Sequence, residues 1–408
     1  MSTLKSQWRT PVIVIVAGCL ISVIGFGIRS SFGLFLEPMT VTRGWSRETF
    51  GLALALQNLF WGLGLPIAGI LADKWGSSRI IMAGAITYFI GVYGMAFADS
   101  HALLYLFGGV LSGLGIAFSA FTLAMAAMVR VVGPEKRSFV LGIGTAAGSL
   151  GQVLFSPIGQ GFISSFGWQQ ALIILSGCAL VLIPLAWMLP HGSSGNQLEE
   201  EQSLRAALNE ALTHRGFILL TLGFFVCGFH VAFITVHFPA YVRDIGLNPN
   251  IGAYSLALIG LFNIAGSLLS GVAGQRYSMR MSLSFIYTAR AVAITALLLL
   301  PKTPLVVLGF AAVMGLLWLS TVPLTTGIVA QVFGTRYMGT LFGIVFLSHQ
   351  IGSFLGVWLG GRLYDSSGSY DSMWVAGIVL GLIAALLHLP INESPVARLG
   401  RSAVVRPG

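Results

Sequence analysis

Gly69-Ile70-Leu71-Ala72-Asp73-Lys74-Trp75-Gly76-Ser77-Ser78-Arg79 is a short charged stretch between two long apolar runs. The flanking runs, 49–72 and 79–98, can each cross about 30 Å of hydrocarbon at about 1.5 Å per residue. Similar runs recur on both sides, at 11–36, 102–129, 138–163 and 168–189, then at 216–238, 249–273, 281–300, 304–331, 337–361 and 370–389. Composition agrees. Of 408 residues 56% are hydrophobic, only 9% are charged and 52 are glycine. A soluble domain carries about a quarter charged residues, and glycine lets membrane helices approach closely. The expectation is an all-α polytopic membrane protein of twelve transmembrane helices.

The longest polar connection, 190–215, divides these runs six and six. It contains Glu199, Glu200, Glu201 and Arg205, and 198–212 has the pattern of a short amphipathic surface helix. The expected organisation is a six-helix half over 1–189, a linker over 190–215, a second half over 216–390 and a short tail over 391–408 without fixed structure. Charge sets the orientation. With the N-terminus inside, fifteen Lys and Arg fall in cytoplasmic segments, against Arg43, Arg47, Arg243, Lys302 and Arg362 outside. Both termini are therefore expected in the cytoplasm. Arg29 and Arg290 lie within spans.

The opening stretch has an echo. Gly271-Val272-Ala273-Gly274-Gln275-Arg276-Tyr277-Ser278-Met279-Arg280 follows span 8, at an offset of 202. An offset of 201 lays Pro38 on Pro239, Gly133 on Gly334, Gly167 on Gly368, and Arg29 on His230. Two parallel repeats imply a solute site near mid-depth where the halves meet, reached alternately from each side.

Other classes are disfavoured. The net charge of +9 sits in short loops, with no basic run or recognition helix for nucleic acid. Cys19, Cys178 and Cys227 lie in apolar runs without paired spacing and read as small hydrophobes. Val16-Ala17-Gly18-Cys19 resembles a lipoprotein cleavage site, but the apolar helix continues past it. No His-Glu-x-x-His metal pattern, nucleophile elbow or phosphate-binding loop is present. Neither an enzyme nor a bound metal or cofactor is expected.

The loop at 69–79 resembles the signature of the major facilitator superfamily, Gly-x-x-x-Asp-(Arg/Lys)-x-Gly-x-x-(Arg/Lys), in full, and the likeness extends over about 11–389. In the second half Gln275 replaces the acid. The resemblance implies a cytoplasmic gate of Gly69, Asp73, Lys74, Gly76 and Arg79: Asp73 accepts hydrogen bonds at a neighbouring helix end, while Lys74 and Arg79 stay at the aqueous edge. A narrower likeness rests on Phe26-Gly27-Ile28-Arg29-Ser30-Ser31-Phe32-Gly33, Gly44-Trp45-Ser46-Arg47-Glu48 and Gly361-Arg362-Leu363-Tyr364-Asp365 with Gly368-Ser369-Tyr370. These are similar to the bacterial monocarboxylate and oxalate/formate transporters, which move small organic anions, often with a proton or by exchange. Spans 8 and 11 hold Asn263, His349 and Gln350 where oxalate exchangers carry bases, so oxalate is not the expected substrate.

Charged groups in hydrocarbon usually face the bundle interior or a polar cavity. Arg29, about seven residues before the outer end of span 1, reads as an anion clamp or as a structural pair. Arg290 lies in span 9, a helix that packs outside the central cavity in the resembling family, and reads more as structure or coupling. His230 and His237, seven residues apart in span 7, are candidates for proton coupling, and His230 for substrate contact. Asn58, Asn263 and His349 are candidate substrate contacts, and Trp61 and Trp318 candidate flat walls; helix-to-helix hydrogen bonding is the alternative for the polar ones. No Asp or Glu sits mid-span, which favours an anion over a cation. Glycines 142, 144, 148 and 151 in span 5, and 343, 352, 356 and 360 in span 11, mark thin helix faces for packing and gating.

The expected function is a secondary transporter of a small monocarboxylate-like anion, coupled to protons, acting as a monomer among the lipids of a bacterial inner membrane. An exporter of amphipathic drugs or metabolites is the alternative within the class. A solute sensor that does not transport is the alternative outside it.

Overall fold

The computed structural model describes residues 10–132, 137–190, 203–334 and 337–397. Eleven apolar helical tracts within it are long enough to cross a membrane: Pro11–Arg43, Arg47–Ala72, Ser77–Phe97, His101–Val129, Val140–Trp187, Arg215–Asp244, Pro249–Arg276, Met279–Leu299, Pro304–Phe333, Met338–Ser367 and Asp371–His388. The fifth is 48 residues long and crosses twice. It reverses at Gly167, whose φ of 79° a Cβ would oppose. Trp168 Nε1 then donates to Thr42 Oγ1 near one end of the bundle, while Ala186 accepts from Ser78 Oγ at the other. The total is twelve spans.

Local chemistry explains the ends. Ser46 caps span 2 by accepting from the Thr49 amide at 3.1 Å, and Asn248 with Pro249 begins span 8. Large apolar side chains such as Leu305, Phe285 and Ile70 stay exposed along outward faces, as lipid contact requires. Span 7 differs: most of its apolar length is buried, against half or less in the other tracts. It is the helix most enclosed by protein, and it carries both candidate histidines.

One close crossing recurs along the chain at the 201–202 offset. Gly151 of span 5 lies on the Val23 carbonyl of span 1, where a Cβ would meet the oxygen at 2.1 Å. Gly352 of span 11 lies likewise on the Phe225 carbonyl of span 7, at 2.0 Å. Helix breaks recur as well. Span 4 is interrupted at Ser119–Ala120 and span 10 between Leu317 and Thr321.

Three expectations change. Span 1 continues through a 3-10 turn to Arg43 rather than ending near 36, because Phe32–Phe35 keeps the chain helical. Arg29 therefore lies near mid-depth, about 21 Å from that end. The surface helix runs Leu204–Thr213, capped by Ser203; residues 191–202 of the expected linker lie outside the described residues. The start of the tail is packed. Glu393 accepts from Ser278 Oγ and the Arg280 amide, and Ile391 is fully buried. Residues 398–408 lie outside the described residues.

Gly352→Ala is expected to lower the unfolding midpoint of detergent-purified protein, with a loss of about 1–3 kcal/mol or more from overpacking. Gly142→Ala, with nothing within 4 Å of its Cβ position, should be neutral or slightly stabilising. Equal melting curves for the two variants would show that the crossing is not tight.

Candidate transport site and gate

Arg29 projects from span 1 toward span 2. Its Nη2 donates to Asn58 Oδ1 at 3.1 Å, and its guanidinium carbon lies 4.7 Å from the Trp61 ring centre. Asn58 and Trp61 are three residues apart, so a single helix face supplies both. Arg29 is half-buried, and among the described residues no carboxylate is bonded to it. An amide oxygen and an aromatic face orient the cation without neutralising it.

The contacts continue into span 11. Gln350 Nε2 donates to the Asn58 carbonyl at 3.0 Å, and Gln350 Oε1 faces His349 Nδ1 at 3.0 Å. Trp61 meets Phe346 edge-on at 5.5 Å, and Phe346 stacks on His349 at 5.6 Å. Gly62 permits this approach, because a Cβ there would lie 2.8 Å from Gln350. Arg29, Asn58 and His349 thus belong to one polar and aromatic layer at mid-depth. Beside Arg29 is a cavity of about 20 Å³, lined by Ser22, Phe26, Trp61, Tyr88, Ser119 and Phe121 among others.

The end of the bundle near Arg47 is closed by charge. Arg47 donates to both oxygens of Asp244 at 2.6 Å and to Tyr370 Oη at 3.0 Å, and it lies 3.7 Å over the Tyr364 ring. Asp365 of span 11 accepts from the backbone amides of Arg47 and Glu48, at 3.0 and 2.6 Å. It caps the N-terminus of span 2 from across the interface, where a carboxylate also meets the positive end of the helix dipole. Arg243 pairs with Glu37, and Trp358 Nε1 donates to Glu48. Gly361 makes room, since a Cβ there would lie 2.5 Å from the Arg47 carbonyl.

His237 lies under this closure. Its Nε2 donates to the Val357 carbonyl at 2.8 Å, and its Nδ1 is 3.0 Å from Tyr370 Oη. His230 faces span 12 instead, with Nε2 2.8 Å from the Gly377 carbonyl, and it is 1% exposed. It does not join Arg29, although the repeat offset relates the two. Asn263 bridges spans 5, 8 and 10: it donates to Ser149 Oγ and accepts from Ser267 Oγ and the Leu319 amide. Arg290 is fully buried and donates to the Leu317 and Trp318 carbonyls at the break in span 10. At the other end of the bundle, Gly76 ends span 2 with φ 88°, Gly69 has open space beside it, and Lys74 and Arg79 are exposed. The Asp73 side chain lies outside what is described.

The chain is thus a polytopic bundle of twelve apolar spans, with Arg29 held without an acid inside it and ion pairs joining the spans at the Arg47 end. The sequence model of the Major Facilitator Superfamily matches residues 18–357 and 260–404, and the chain belongs to that family. It is 25% identical over 401 residues to "Monocarboxylate transporter 13" of Bos taurus, covering 94% of this chain and 91% of that protein. It is 25% identical over 380 residues to the "Uncharacterized MFS-type transporter YcxA" of Bacillus subtilis (strain 168), covering 91% and 92%. In fold it is similar to a bacterial homologue of the human lysosomal transporter Spinster in an inward-facing, unoccupied conformation, with TM-score 0.73, 17% identity and coverage of 94% and 97%. It is also similar to a D-xylose-proton symporter, with TM-score 0.70, 13% identity and the same coverages.

Sequence reasoning did not single out the contact of Arg47 with Asp244, Asp365 and Tyr370. Acids at span ends look like ordinary loop residues. The available signal was that Gly44–Glu48 and the 361–370 stretch both stood out and both fell at the same end of the bundle. They prove to be the two faces of one contact.

Removing the trans cap by Asp365→Ala should shift the closed end toward opening about tenfold, from the loss of about 1–2 kcal/mol. Spin labels at Val41 and Asn250, both exposed at this end, should gain a population at longer distance. An unchanged distance distribution would mean that Asp365 does not hold the gate.

Proposed function

We propose that this chain is a secondary transporter of small organic monoanions, with Arg29 as the anion clamp. The observation that carries this is a guanidinium at mid-depth bound by Asn58 and Trp61 rather than by an acid. A half-buried cation left in this way favours an incoming carboxylate, which can accept two parallel hydrogen bonds from it. The aromatic layer of Trp61, Phe346 and His349 offers an apolar wall for the body of such a solute. Several similar proteins are named monocarboxylate transporters, which supports the same class.

Orientation by the positive-inside rule makes the Arg47 end the outer face of a bacterial inner membrane. The path from outside is then shut. The halves over 1–189 and 216–390 rock about the Arg29 layer to alternate access, and one chain contains the whole path.

Of the two histidines, His237 fits proton coupling better. Its Nε2 hydrogen is committed to the Val357 carbonyl, so the neutral ring accepts from Tyr370 at Nδ1, while the Tyr370 oxygen accepts from Arg47. A proton added at Nδ1 turns that acceptor into a donor. It also sets a second cation beside Arg47, and both effects loosen the outer gate. Asp244, Glu37, Glu48 and Asp365 are acids at the same closure. His230, hydrogen-bonded within spans 7–12, has no comparable link.

Sealed proteoliposomes offered labelled pyruvate, benzoate, cations and neutral solutes, with and without an inward proton gradient, test this reading. Carboxylate uptake should appear and should fall at least a hundredfold in Arg29→Ala. Uptake of cations or bulky neutral solutes undiminished by Arg29→Ala would refute the anion clamp. In His237→Gln, stimulation by the gradient should vanish while carboxylate exchange persists. Gradient stimulation that survives His237→Gln would remove His237 from coupling.

A further inference from the structure

Spans 3 and 4 cross closely. A Cβ on Gly115 would lie 2.5 Å from Tyr88 Cα, and one on Gly84 would lie 2.4 Å from the Ser119 amide. This closeness, with the helix break at Ser119–Ala120, brings Tyr88 of span 3 to the wall of the Arg29 cavity. Tyr88 is 0% exposed and its hydroxyl has no hydrogen-bond partner. Trp61 lines the same cavity, is 6% exposed, and its Nε1 is likewise unpartnered.

Buried donors without acceptors cost about 1–3 kcal/mol each, so their presence needs an explanation. Here both occur on one cavity beside an uncompensated guanidinium. The polar lining otherwise comprises the hydroxyls of Ser22 and Ser119, which donate to the Gly18 and Gly115 carbonyls. No carboxylate is among the lining residues.

The second set of spans provides an internal comparison. An offset of 202 relates Tyr88 to Arg290 and Trp61 to Asn263. Arg290 commits Nε and Nη2 to carbonyls of the span 10 break and leaves Nη1 unpartnered, while Asn263 has both its nitrogen and its oxygen bonded. What distinguishes Tyr88 and Trp61 is that their unmatched donors line one cavity together with Arg29.

We propose that Tyr88 and Trp61 are substrate-binding residues that complete an all-donor carboxylate site with Arg29. The phenol and indole hydrogens supply hydrogen bonds that the guanidinium alone does not. The proposal rests on the anion reading of Arg29 and extends it to specificity. With one cation and no acid on the cavity, a monoanion matches, whereas an amino acid leaves its ammonium unanswered and a dicarboxylate its second charge.

Tyr88→Phe and Trp61→Phe remove one donor each and keep the rings. Transport kinetics of labelled pyruvate and benzoate, and calorimetric binding of the same two acids in detergent, should show KM and Kd raised roughly tenfold to a hundredfold in Tyr88→Phe, with near-normal maximal rate. Trp61→Phe should act in the same direction. Alanine and succinate should compete poorly with the wild type. Arg29→Ala is run in parallel. If Arg29→Ala abolishes carboxylate binding but both Phe variants keep normal KM, Kd and selectivity, the donor assignment fails and the clamp stands. If carboxylate binding survives Arg29→Ala, both fail. Calorimetry on monodisperse protein separates a lost donor from a misfolded variant.

Discussion

Two backbone carbonyls, those of Val23 and Phe225, accept the close approach of a neighbouring helix because Gly151 and Gly352 have no side chain there. In hydrocarbon, apolar surface gives helices little reason to prefer each other over lipid, so close van der Waals contact must do more of the work. Much else in the bundle depends on such crossings. They fix span 1 against span 5 and span 7 against span 11, and so set the depth at which Arg29 and His349 face the interface. The same device at Gly62, Gly260 and Gly361 joins the first six spans to the last six.

Three arginines meet three different answers inside this frame. Arg47 is neutralised by Asp244 and held further by Tyr370, at an end where water still reaches half the partners. Arg290 is enclosed and bound by carbonyls at a helix C-terminus, where the dipole favours a cation. Arg29 is only oriented. Since a buried charge is costly unless paired, the first two are accounted for by structure, and the third carries the functional reading. The distinction concerns partners, and all three residues look alike in the chain.

The fold was largely legible. Twelve apolar runs were enough for the twelve spans and the loop at 69–79 for the family, because a bilayer imposes length and polarity on each span independently. The candidate site was legible in part, as contacts. Arg29 and Asn58 were named, and they bond to each other; His349 was named and lies in the same layer. His230 was paired with Arg29 by the repeat offset, yet its ring faces span 12. Equivalent positions in a repeat share backbone placement, whereas side-chain direction depends on neighbours that have diverged. Tyr88 gave no signal, since an isolated tyrosine in an apolar run is ordinary packing material.

The sequence by itself determined that the chain spans a membrane, how many times, and that acids are missing from mid-depth, because each of these follows from local composition and length. Which cation is left unneutralised, and which loop residues close the gate, only the tertiary structure decided. Those properties belong to contacts between residues more than a hundred positions apart, such as Gly361 on Arg47, Gln350 on Asn58 and Asp365 on the first turn of span 2. Helical periodicity orders side chains around one helix, but the partner across the interface is set by how glycine-thinned faces cross, which no single stretch of sequence encodes.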